Sequence, residues 1–298
     1  MALAHEFDYV RPQSLTEALQ LKDKYKDKAR WLSGGTDLIV NIKEGMMKPD
    51  LLIDIKDIDE LWQIGFNSGK LSLGAAVSFS ELIDSEDVRQ HFGMLTDACR
   101  TVASTGVRAR ATLVGNICSA VPSLDSAPPL FCYEAIVHCA SVDGKRDIPI
   151  DQWFLAPRKT ALADNELVTG ITLTAIPNSA GVYVKLGRYG GEDLAQAGWG
   201  VMVDHNKQYR IAHCALAATP KRAYQIEQLL AGKELSDALI EQAIALIPQE
   251  TSPITDIRSS KEYRLHVSGV MLKRGLQAAY DRLQGKTVEA HKLLGGIA

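Results

Sequence analysis

Apolar residues in the first part of the chain recur at helical spacing and then give way to two short apolar runs that are typical of strands. The helix is expected from Ser14 to about Lys28, because the Ser14 hydroxyl and the Glu17 carboxylate can satisfy free N–H groups at its start. The unit does not match the G-x-G-x-x-G fingerprint of dinucleotide-binding domains, and no regular βαβαβ succession follows it. Its other predicted elements are a strand at 30–32, a glycine turn, a short helix at 37–44 and a buried strand at 51–55.

Between residues 61 and 173 the pattern favours antiparallel strands mixed with short helices. Two alternating runs on either side of Asn67-Ser68-Gly69-Lys70 predict a β-hairpin. Asp125 or Ser126 can cap a later helix, whose first turn tolerates the prolines that follow. The expected helices are 78–85, 86–102 and 127–135, and the expected strands are 61–66, 71–75, 136–142, 146–150 and 167–173.

The pattern changes after the turn-rich run 177–181, which marks a predicted domain boundary. Three antiparallel strands come first and helices follow, with a second capping box at 259–262 before the last and longest helix. We expect the tail from Gly285 onward to be loosely ordered. The strands are 182–186, 195–204 and 209–216, and the helices are 222–231, 235–246 and 260–283.

Composition and charge argue against several classes of function. The chain of 298 residues is long enough for two domains, and its net charge of −3 predicts no partnership with nucleic acid. No apolar run approaches the ~18 residues that a membrane span requires, and no secretory signal is visible, so we expect a cytoplasmic protein. The five cysteines form no CxxC pair, which argues against an iron–sulfur cluster or structural zinc held by this chain. We nominate no metal ligand and no catalytic acid or base.

Two glycine-containing turns carry the candidate chemistry. Glycine lets the backbone approach a ligand closely, and consecutive N–H groups in such a turn form a concave site for an anion. A helix that begins at the turn adds the positive end of its dipole. Taken singly, such a turn is most often only a connection, but two together can hold the two phosphates of a dinucleotide. The first turn is Leu32, Ser33, Gly34, Gly35, Thr36 and Asp37, and the second is Thr112, Leu113, Val114, Gly115 and Asn116.

These turns and two later segments resemble the FAD-binding (medium) subunit of the molybdenum hydroxylases, the family that includes xanthine dehydrogenase and carbon monoxide dehydrogenase. The first turn is similar to that family's AGGTD loop. The second is similar to its TIGGN loop and is followed, as in the family, by a Pro-x-x-Asp-x-x-Pro stretch, here at 122–128. Segment 183–195 resembles the family's YxKxxxR…D-[IL]-A pattern, and 259–264 resembles its SAxYR helix start. The matches occur in the family's order, which makes them stronger together than singly.

This resemblance implies an α+β fold. An FAD-binding domain of the PCMH (VAO) type would occupy residues 1–176, in two subdomains at about 1–57 and 58–176. A C-terminal domain like that of the CO dehydrogenase flavoproteins would occupy 177–285, with a three-stranded antiparallel sheet and a helical bundle. Residues 286–298 would form a tail.

The resemblance also implies FAD as the cofactor, lying between the two subdomains. The two turns would contact its diphosphate and ribityl chain, and Asp125 would form a hydrogen bond with it. Val168 would pack near the flavin ring, and Lys185 would lie at its pyrimidine end, where a positive charge favours the reduced, anionic flavin. The cofactor-binding residues expected on this basis are Leu32, Ser33, Gly34, Gly35, Thr36, Asp37, Thr112, Val114, Gly115, Asn116, Asp125, Val168 and Lys185.

One position departs from the family pattern. Val114 stands where the TIGGN loop has its first glycine, so it must adopt a conformation that a β-branched residue tolerates, or the diphosphate must lie slightly differently. Arg108 and Arg110 precede this turn. Either of them can approach a phosphate or remain a solvated charge.

In this family a large subunit with a molybdenum cofactor hydroxylates the substrate. A small subunit with two [2Fe-2S] clusters passes the electrons to FAD, which delivers them to NAD⁺ or another acceptor. The resemblance therefore implies an FAD-binding electron-transfer subunit of a hydroxylase similar to xanthine dehydrogenase, with both other subunits as partners. Two alternatives stay open, a self-contained flavin oxidoreductase of the same fold and a scaffold subunit without flavin.

Overall fold

The first unit of the protein is a small parallel sheet with two helices. The computed structural model describes residues 5–189 and 192–294. The unit comprises β1 (Asp8–Val10), α1 (Leu15–Tyr25), β2 (Ala29–Leu32), α2 (Leu38–Lys43) and β3 (Leu51–Asp54). β3 lies between β1 and β2, parallel to both, and all four of its residues are buried. A central parallel strand is shielded from water on both faces, which is why its first three residues are apolar.

Two expectations for this unit differ from the structure. The unit contains one strand more than the sequence predicted, at its start. The cause is β1, whose three residues are too few to show an alternating pattern. The first helix begins as predicted, since the Ser14 hydroxyl accepts the Glu17 N–H at 3.2 Å. It ends at Tyr25, before the predicted end, because Lys26 takes a positive φ of 48°.

The second unit is a five-stranded antiparallel sheet with short helices. Its elements are β4 (Ile64–Asn67), β5 (Lys70–Gly74), α3 (Phe79–Asp84), α4 (Glu86–His91), α5 (Gly93–Thr101), α6 (Thr105–Arg108), α7 (Leu113–Ser119), α8 (Ala127–Cys132), β6 (Ile136–Ser141), β7 (Gly144–Pro149), β8 (Phe154–Ala156), β9 (Lys159–Thr160) and β10 (Leu167–Thr174). The strand order is β4–β5–β10–β6–β7. The predicted hairpin is confirmed in β4 and β5, where Ser68 and Gly69 both have positive φ, as this kind of two-residue turn requires.

The helices of this unit are shorter and more numerous than predicted. The expected helix at 86–102 is interrupted at Phe92 (φ −130°, ψ 45°), which separates α4 from α5. The segment expected to form the second turn, 112–116, is largely helical, because α7 begins at Leu113. The Ser126 side chain makes no capping bond to α8, and the Asp125 carboxylate is bound elsewhere, so neither acts as the predicted cap.

The C-terminal part builds an antiparallel sheet and then packs helices against it. Its elements are β11 (Ser179–Leu186), β12 (Ala197–Asp204), β13 (Tyr209–Cys214), β14 (Lys221–Arg222), α9 (Tyr224–Leu230), α10 (Asp237–Ala245), α11 (Ile247–Glu250) and α12 (Lys261–Leu283). The three predicted strands form, and the two-residue β14 extends the sheet beyond β13. α12 lies close against β12, because a Cβ at Gly275 would lie only 3.0 Å from the Val201 Cγ2 methyl.

The two parts of the chain are joined across β12 and by an ion pair. Gly200 faces the first part, where a Cβ would lie 3.0 Å from the Pro128 Cβ at the start of α8. Arg282, near the end of α12, forms a bidentate pair with Asp97 on α5, with Nη1–Oδ2 and Nη2–Oδ1 distances of 2.6 and 3.2 Å. Arg282 also donates to the Gly181 carbonyl at 2.7 Å. The sheet of the second part therefore has a defined position against the helices of the first.

The chain after α12 packs more closely than expected as far as the structure describes it. Arg282 donates from Nε and Nη2 to the Val288 carbonyl, at 3.1 and 2.7 Å. Val288, Leu293 and Leu294 pack against the apolar core of the C-terminal part. The end of the predicted tail, 295–298, lies outside the described residues.

A buried histidine in β13 makes the stability of the fold depend on pH. His213 is fully buried, and its Nε2 lies 3.2 Å from the Glu250 carbonyl oxygen. Its Nδ1 has no hydrogen-bond partner among the described residues. Burial lowers the pKa of His213 from 6.5 to about 4, because the imidazolium loses its hydration.

Replacing His213 should reduce the loss of stability in mild acid. The unfolded chain takes up this proton near pH 6.5 and the folded protein only near pH 4. The unfolded state therefore binds more protons between these values, and the free energy of unfolding falls as the pH drops through that window. Between pH 7 and pH 5 the wild type should lose about 2 kcal/mol more than His213→Gln, measured by urea denaturation. The exposed His205 supplies the control, since His205→Gln should keep the wild-type pH dependence. An unchanged dependence in His213→Gln would contradict this account.

Candidate cofactor-binding site

The first glycine turn presents a row of backbone N–H groups. It connects β2 to α2, and Gly35 has a positive φ of 75°, which glycine adopts without strain. Within the described residues, the N–H groups of 34–37 have no hydrogen-bond acceptor. The turn is partly exposed, and Thr36 adds a hydroxyl to it, so a ligand can reach these donors. Consecutive N–H groups of this kind form a site for an anion such as a phosphate.

A second segment lies directly against this turn. Thr112 precedes α7 and caps it, since its Oγ1 accepts the Gly115 N–H at 2.9 Å. The Ser33 hydroxyl donates to the same Oγ1 at 3.4 Å. A Cβ at Gly34 would lie 2.1 Å from the Arg110 carbonyl oxygen, so the two backbones are closer than any side chain would allow. The structure thus places the two predicted turns side by side.

Val114 occupies its position without backbone strain. It is the second residue of α7, it is not among the residues with positive φ, and its side chain is buried in the core. The segment is a capped helix start and not a turn that needs glycine, so a β-branched residue is tolerated there. Of the two outcomes expected at this position, the structure shows the tolerated conformation.

The two arginines before this segment have different surroundings. The Arg108 side chain forms internal hydrogen bonds, because its Nη1 donates to the Val102 and Ala103 carbonyls at 2.9 and 2.6 Å. Arg110 is exposed, and its backbone carbonyl is the group that approaches the first turn.

Asp125 is the centre of a buried hydrogen-bond network. Its Oδ1 accepts from the Tyr183 hydroxyl at 2.7 Å, and its Oδ2 accepts from Lys185 Nζ at 2.8 Å. Lys185 also donates to the Thr101 carbonyl at 2.8 Å. The side chains of Asp125 and Lys185 are 8% and 7% exposed. Two expected site residues from different parts of the chain are therefore in contact as a buried ion pair.

Burial and the partners of Asp125 act on its charge in opposite directions. Burial, the larger effect, raises the pKa of the Asp125 carboxyl, while Lys185 and the Tyr183 hydroxyl stabilise the charged form. Burial also raises the pKa of Tyr183, so its hydroxyl stays protonated and remains a donor. Gly198 leaves the space for that hydroxyl, because a Cβ at Gly198 would lie 2.5 Å from the Tyr183 oxygen.

Polar contacts of α7 connect this network with the first turn. Asn116 Oδ1 accepts from the Ser126 hydroxyl at 2.6 Å, directly beside Asp125. Near the other end of α7, the Ser119 hydroxyl donates to the Asp37 carboxylate at the start of α2. The side chains of Asn116 and Asp37 therefore each hold an internal hydrogen bond, and their contacts with a cofactor stay predictions.

The two apolar residues of the expected site differ in their surroundings. Leu32 ends β2 and borders the turn, since a Cβ at Gly35 would lie 2.9 Å from the Leu32 Cδ1. Val168 lies beside a bulge in β10 and is 1% exposed within the core. Its connection with the first turn is indirect. Trp31, which precedes Leu32 in β2, donates from Nε1 to the Glu166 carbonyl at 2.8 Å, two residues before Val168.

Two further residues, Lys56 and Tyr183, contact the expected site residues, and the sequence analysis did not predict these contacts. Lys56 Nζ donates to the Ser33 carbonyl at 3.2 Å and pairs with Asp54 Oδ1 at 2.7 Å, so a cation adjoins the first turn. The sequence did contain a signal for Lys56, since this residue follows β3 closely. The carboxyl ends of the parallel strands β2 and β3 lie at the same edge of the sheet, where the first turn also begins. Tyr183 is the first residue of the segment 183–195 that resembles the family. The sequence assigned it no role, and the structure shows that its hydroxyl binds Asp125.

The described residues offer neither a metal site nor a membrane span. No group of three or more His, Cys, Asp or Glu side chains within 5–189 and 192–294 is placed to hold a metal ion. All five cysteines are free thiols, and Cys118 is the one that is partly exposed. None of the helices in the described ranges is long and apolar enough to cross a bilayer.

Comparison with known proteins assigns the chain to a family. Residues 5–177 match the FAD binding domain in molybdopterin dehydrogenase, and residues 182–279 match the CO dehydrogenase flavoprotein C-terminal domain. The chain is 31% identical over 281 residues to the carbon monoxide dehydrogenase medium chain of Hydrogenophaga pseudoflava, covering 93% of this chain and 98% of that one. It is 28% identical over 275 residues to the glyceraldehyde dehydrogenase medium chain of Sulfolobus acidocaldarius, covering 91% and 98%.

A solved structure agrees with these sequence matches. It is carbon monoxide dehydrogenase from Hydrogenophaga pseudoflava that lacks the Mo-pyranopterin moiety of the molybdenum cofactor, with a TM-score of 0.90 at 30% identity. The alignment covers 95% of this chain and 99% of that one. The chain therefore belongs to the FAD-binding medium subunits of the molybdenum hydroxylase family, and the expected α+β fold is confirmed.

The residues present fit the FAD of this family. The N–H groups of 34–37 supply donors for phosphate oxygens, and the adjoining Lys56 ammonium supplies positive charge. The nearest acid of the turn, Asp37, already accepts a hydrogen bond from Ser119. A diphosphate at this edge would therefore meet mainly donors.

Gly34→Ala should weaken FAD binding, because the added methyl group cannot share space with the Arg110 carbonyl and the two segments must separate. We expect the variant to fold with a loss of about 1–3 kcal/mol, as overpacking causes, and to bind FAD at least about tenfold more weakly. Urea denaturation measures the first quantity and fluorescence titration of the apoprotein with FAD the second. In the control Gly106→Ala the nearest atom lies 4.0 Å from the added Cβ, so wild-type affinity is expected. Equal affinity in both variants would show that the contact is not needed.

Proposed function

We propose that this chain holds FAD along its two adjacent glycine-containing segments and passes electrons through it within a molybdenum hydroxylase complex. The observation that carries the proposal is the backbone contact at Gly34, beside the N–H groups of 34–37 that have no acceptor among the described residues. A ligand with anionic oxygens uses such donors well, and the diphosphate of FAD has those oxygens. The family membership supports FAD over other diphosphates.

The diphosphate would be bound mainly by backbone groups. In the proposal the N–H groups of 34–37 contact its oxygens, with the Thr36 and Thr112 hydroxyls as further donors. The Lys56 ammonium, which donates to the Ser33 carbonyl, would offset part of the negative charge of the diphosphate. Val114 and Gly115 contribute through the backbone at the start of α7, and Val114 adds no side chain to the site.

The Asp125–Lys185 pair would serve the flavin end. Lys185 Nζ already donates to Asp125 and to Thr101, and an ammonium has three N–H groups, so one donor remains for the cofactor. A buried ammonium favours a ring that carries negative charge when reduced. Asp125 would also contact the cofactor. Val168 would pack near the flavin ring from its buried position in the core.

The protein's own part in the reaction is binding and orientation. FAD, when bound, supplies the electron exchange, and no side chain of this site is required as an acid or base for the substrate. Tyr183 keeps the Asp125 carboxylate in place, and Asp125 in turn holds the Lys185 ammonium. These buried contacts fix the position of a charge without moving a proton.

Partners and acceptor follow from the family. The Hydrogenophaga relative is a medium chain of an enzyme with a molybdenum cofactor. We infer for this chain a small subunit with two [2Fe-2S] clusters as electron donor and a large molybdenum-cofactor subunit. NAD⁺ or another acceptor would take the electrons, and the complex would be cytoplasmic. The flavin domain would be 1–176, in subdomains of about 1–57 and 58–176, followed by the domain 177–285 and the tail 286–298.

Purification from the native source should yield two further subunits with this chain. We expect the complex to show overlapping flavin and iron–sulfur absorption, with one FAD for each copy of this chain. The separated chain should keep the flavin bands and lose the iron–sulfur bands, because it contains no cluster ligands of the family type. Subunit analysis and absorption spectra before and after dissociation measure both.

Three results would contradict parts of this proposal. Recovery of the chain alone from its native source would argue against the partner subunits. A chain without flavin that takes up no added FAD would favour the scaffold. Turnover of NADPH with an organic substrate by the isolated chain would favour a self-contained oxidoreductase.

A further inference from the structure

A cavity of about 400 Å³ lies where the two parts of the protein meet, and none of the residues assigned to FAD lines it. One wall comes from the end of α4 and the length of α5. The opposite wall comes from the start of β11 and from Arg282 near the end of α12. The volume is within the range of pockets that bind small molecules. The cavity thus borders the Asp97–Arg282 ion pair that joins the same two parts.

A buried tyrosine hydroxyl lines this cavity. Tyr133 is 4% exposed, and its ring packs edge-on against Phe92 with the centroids 4.9 Å apart. Burial raises the pKa of Tyr133, so the hydroxyl stays protonated, and its oxygen lies beside the backbone N–H of Met94. A phenolic hydroxyl both donates and accepts, so this group can donate its proton in a hydrogen bond to a ligand in the cavity.

The start of α5 adds a second kind of donor. This nine-residue helix follows Phe92, which has no side chain to cap it. The Gly93 N–H has no acceptor in the part of the chain that the structure describes. A Cβ at Gly93 would meet nothing within 4 Å, so the space in front of the helix start is open. Gly93 and Met94 line the cavity, so the first turn of α5 adjoins it.

The charges around the cavity are mostly basic. Arg89 and Arg100 stand at its exposed rim. The acid among the lining residues, Asp97, is neutralised by its bidentate pair with Arg282. The charge that remains for a ligand is positive, and the groups that face it are donors.

We propose that this cavity binds a small molecule with an oxyanion group, a carboxylate or a phosphate. The Tyr133 hydroxyl and the start of α5 supply the hydrogen bonds, and Arg100 and Arg89 supply the counter-charge. Because the walls come from both parts of the protein, such a ligand binds when the parts are docked and stabilises that arrangement. The site is independent of the FAD site.

Calorimetric titration of the protein in excess FAD tests the proposal, with inorganic phosphate in one series and succinate in another. Excess FAD keeps these anions from the glycine turns. We expect saturable binding of at least one of them, and the series that saturates identifies the preferred group. Tyr133→Phe and Arg100→Gln should each weaken it at least about tenfold, because each removes a donor to an anion. Arg158→Gln removes an exposed arginine outside the cavity and should bind as the wild type does.

The outcomes that would overturn the proposal are distinct. One is the absence of saturable binding of both anions by the wild type. Another is wild-type affinity in both Tyr133→Phe and Arg100→Gln. A third is an equal loss of anion affinity in Arg158→Gln, which would show that the anions bind through general attraction to positive charge and not in the cavity. If Tyr133→Phe does not fold, Arg100→Gln decides, because the exposed Arg100 side chain supports no part of the core.

Discussion

The contact between the backbones at Gly34 and Arg110 is the constraint on which the proposed cofactor site depends. A Cβ at Gly34 would lie 2.1 Å from the Arg110 carbonyl, so only glycine permits the parallel-sheet unit and the segment before α7 to meet. The second segment is itself anchored, since the Phe79 N–H donates to the Ala111 carbonyl at 3.0 Å. The first turn is held by the Lys56 ammonium from its other side. Donors from two separate units thereby share one edge.

The second important interaction is the buried pair of Asp125 and Lys185. Two charges removed from water are stabilising only when their geometry is good and their other hydrogen-bonding groups are satisfied. Here Tyr183 and the Thr101 carbonyl provide those contacts at 2.7 and 2.8 Å. The pair joins β11 of the C-terminal part to the helices of the first part. The Asp97–Arg282 pair joins the same two parts elsewhere. The proposed contact with the flavin therefore lies at the boundary where the two parts of the protein meet.

Regular elements with strong local signals were predictable from the sequence. The buried strand β3, the hairpin at Ser68 and Gly69 and the long helix after Ser260 each have an apolar pattern, turn residues or a cap that acts over a few positions. The failures lie where the local signal is weak. β1 has three residues, and the break at Phe92 lies within an apolar helical pattern, with no side-chain cap and no proline to indicate it.

The sequence by itself determined the position of the glycine turn, most of the longer strands and helices, and the family motifs that point to FAD. Each of these depends on neighbouring residues or on a pattern along the chain. Only the tertiary structure decided that Val114 lies in a capped helix, that Lys56 adjoins the first turn and that Tyr133 faces a cavity. It also decided that Asp125, predicted as a helix cap or cofactor contact, binds Lys185 across 60 positions. Such contacts depend on how complete elements pack and where their side chains point, which no local pattern records.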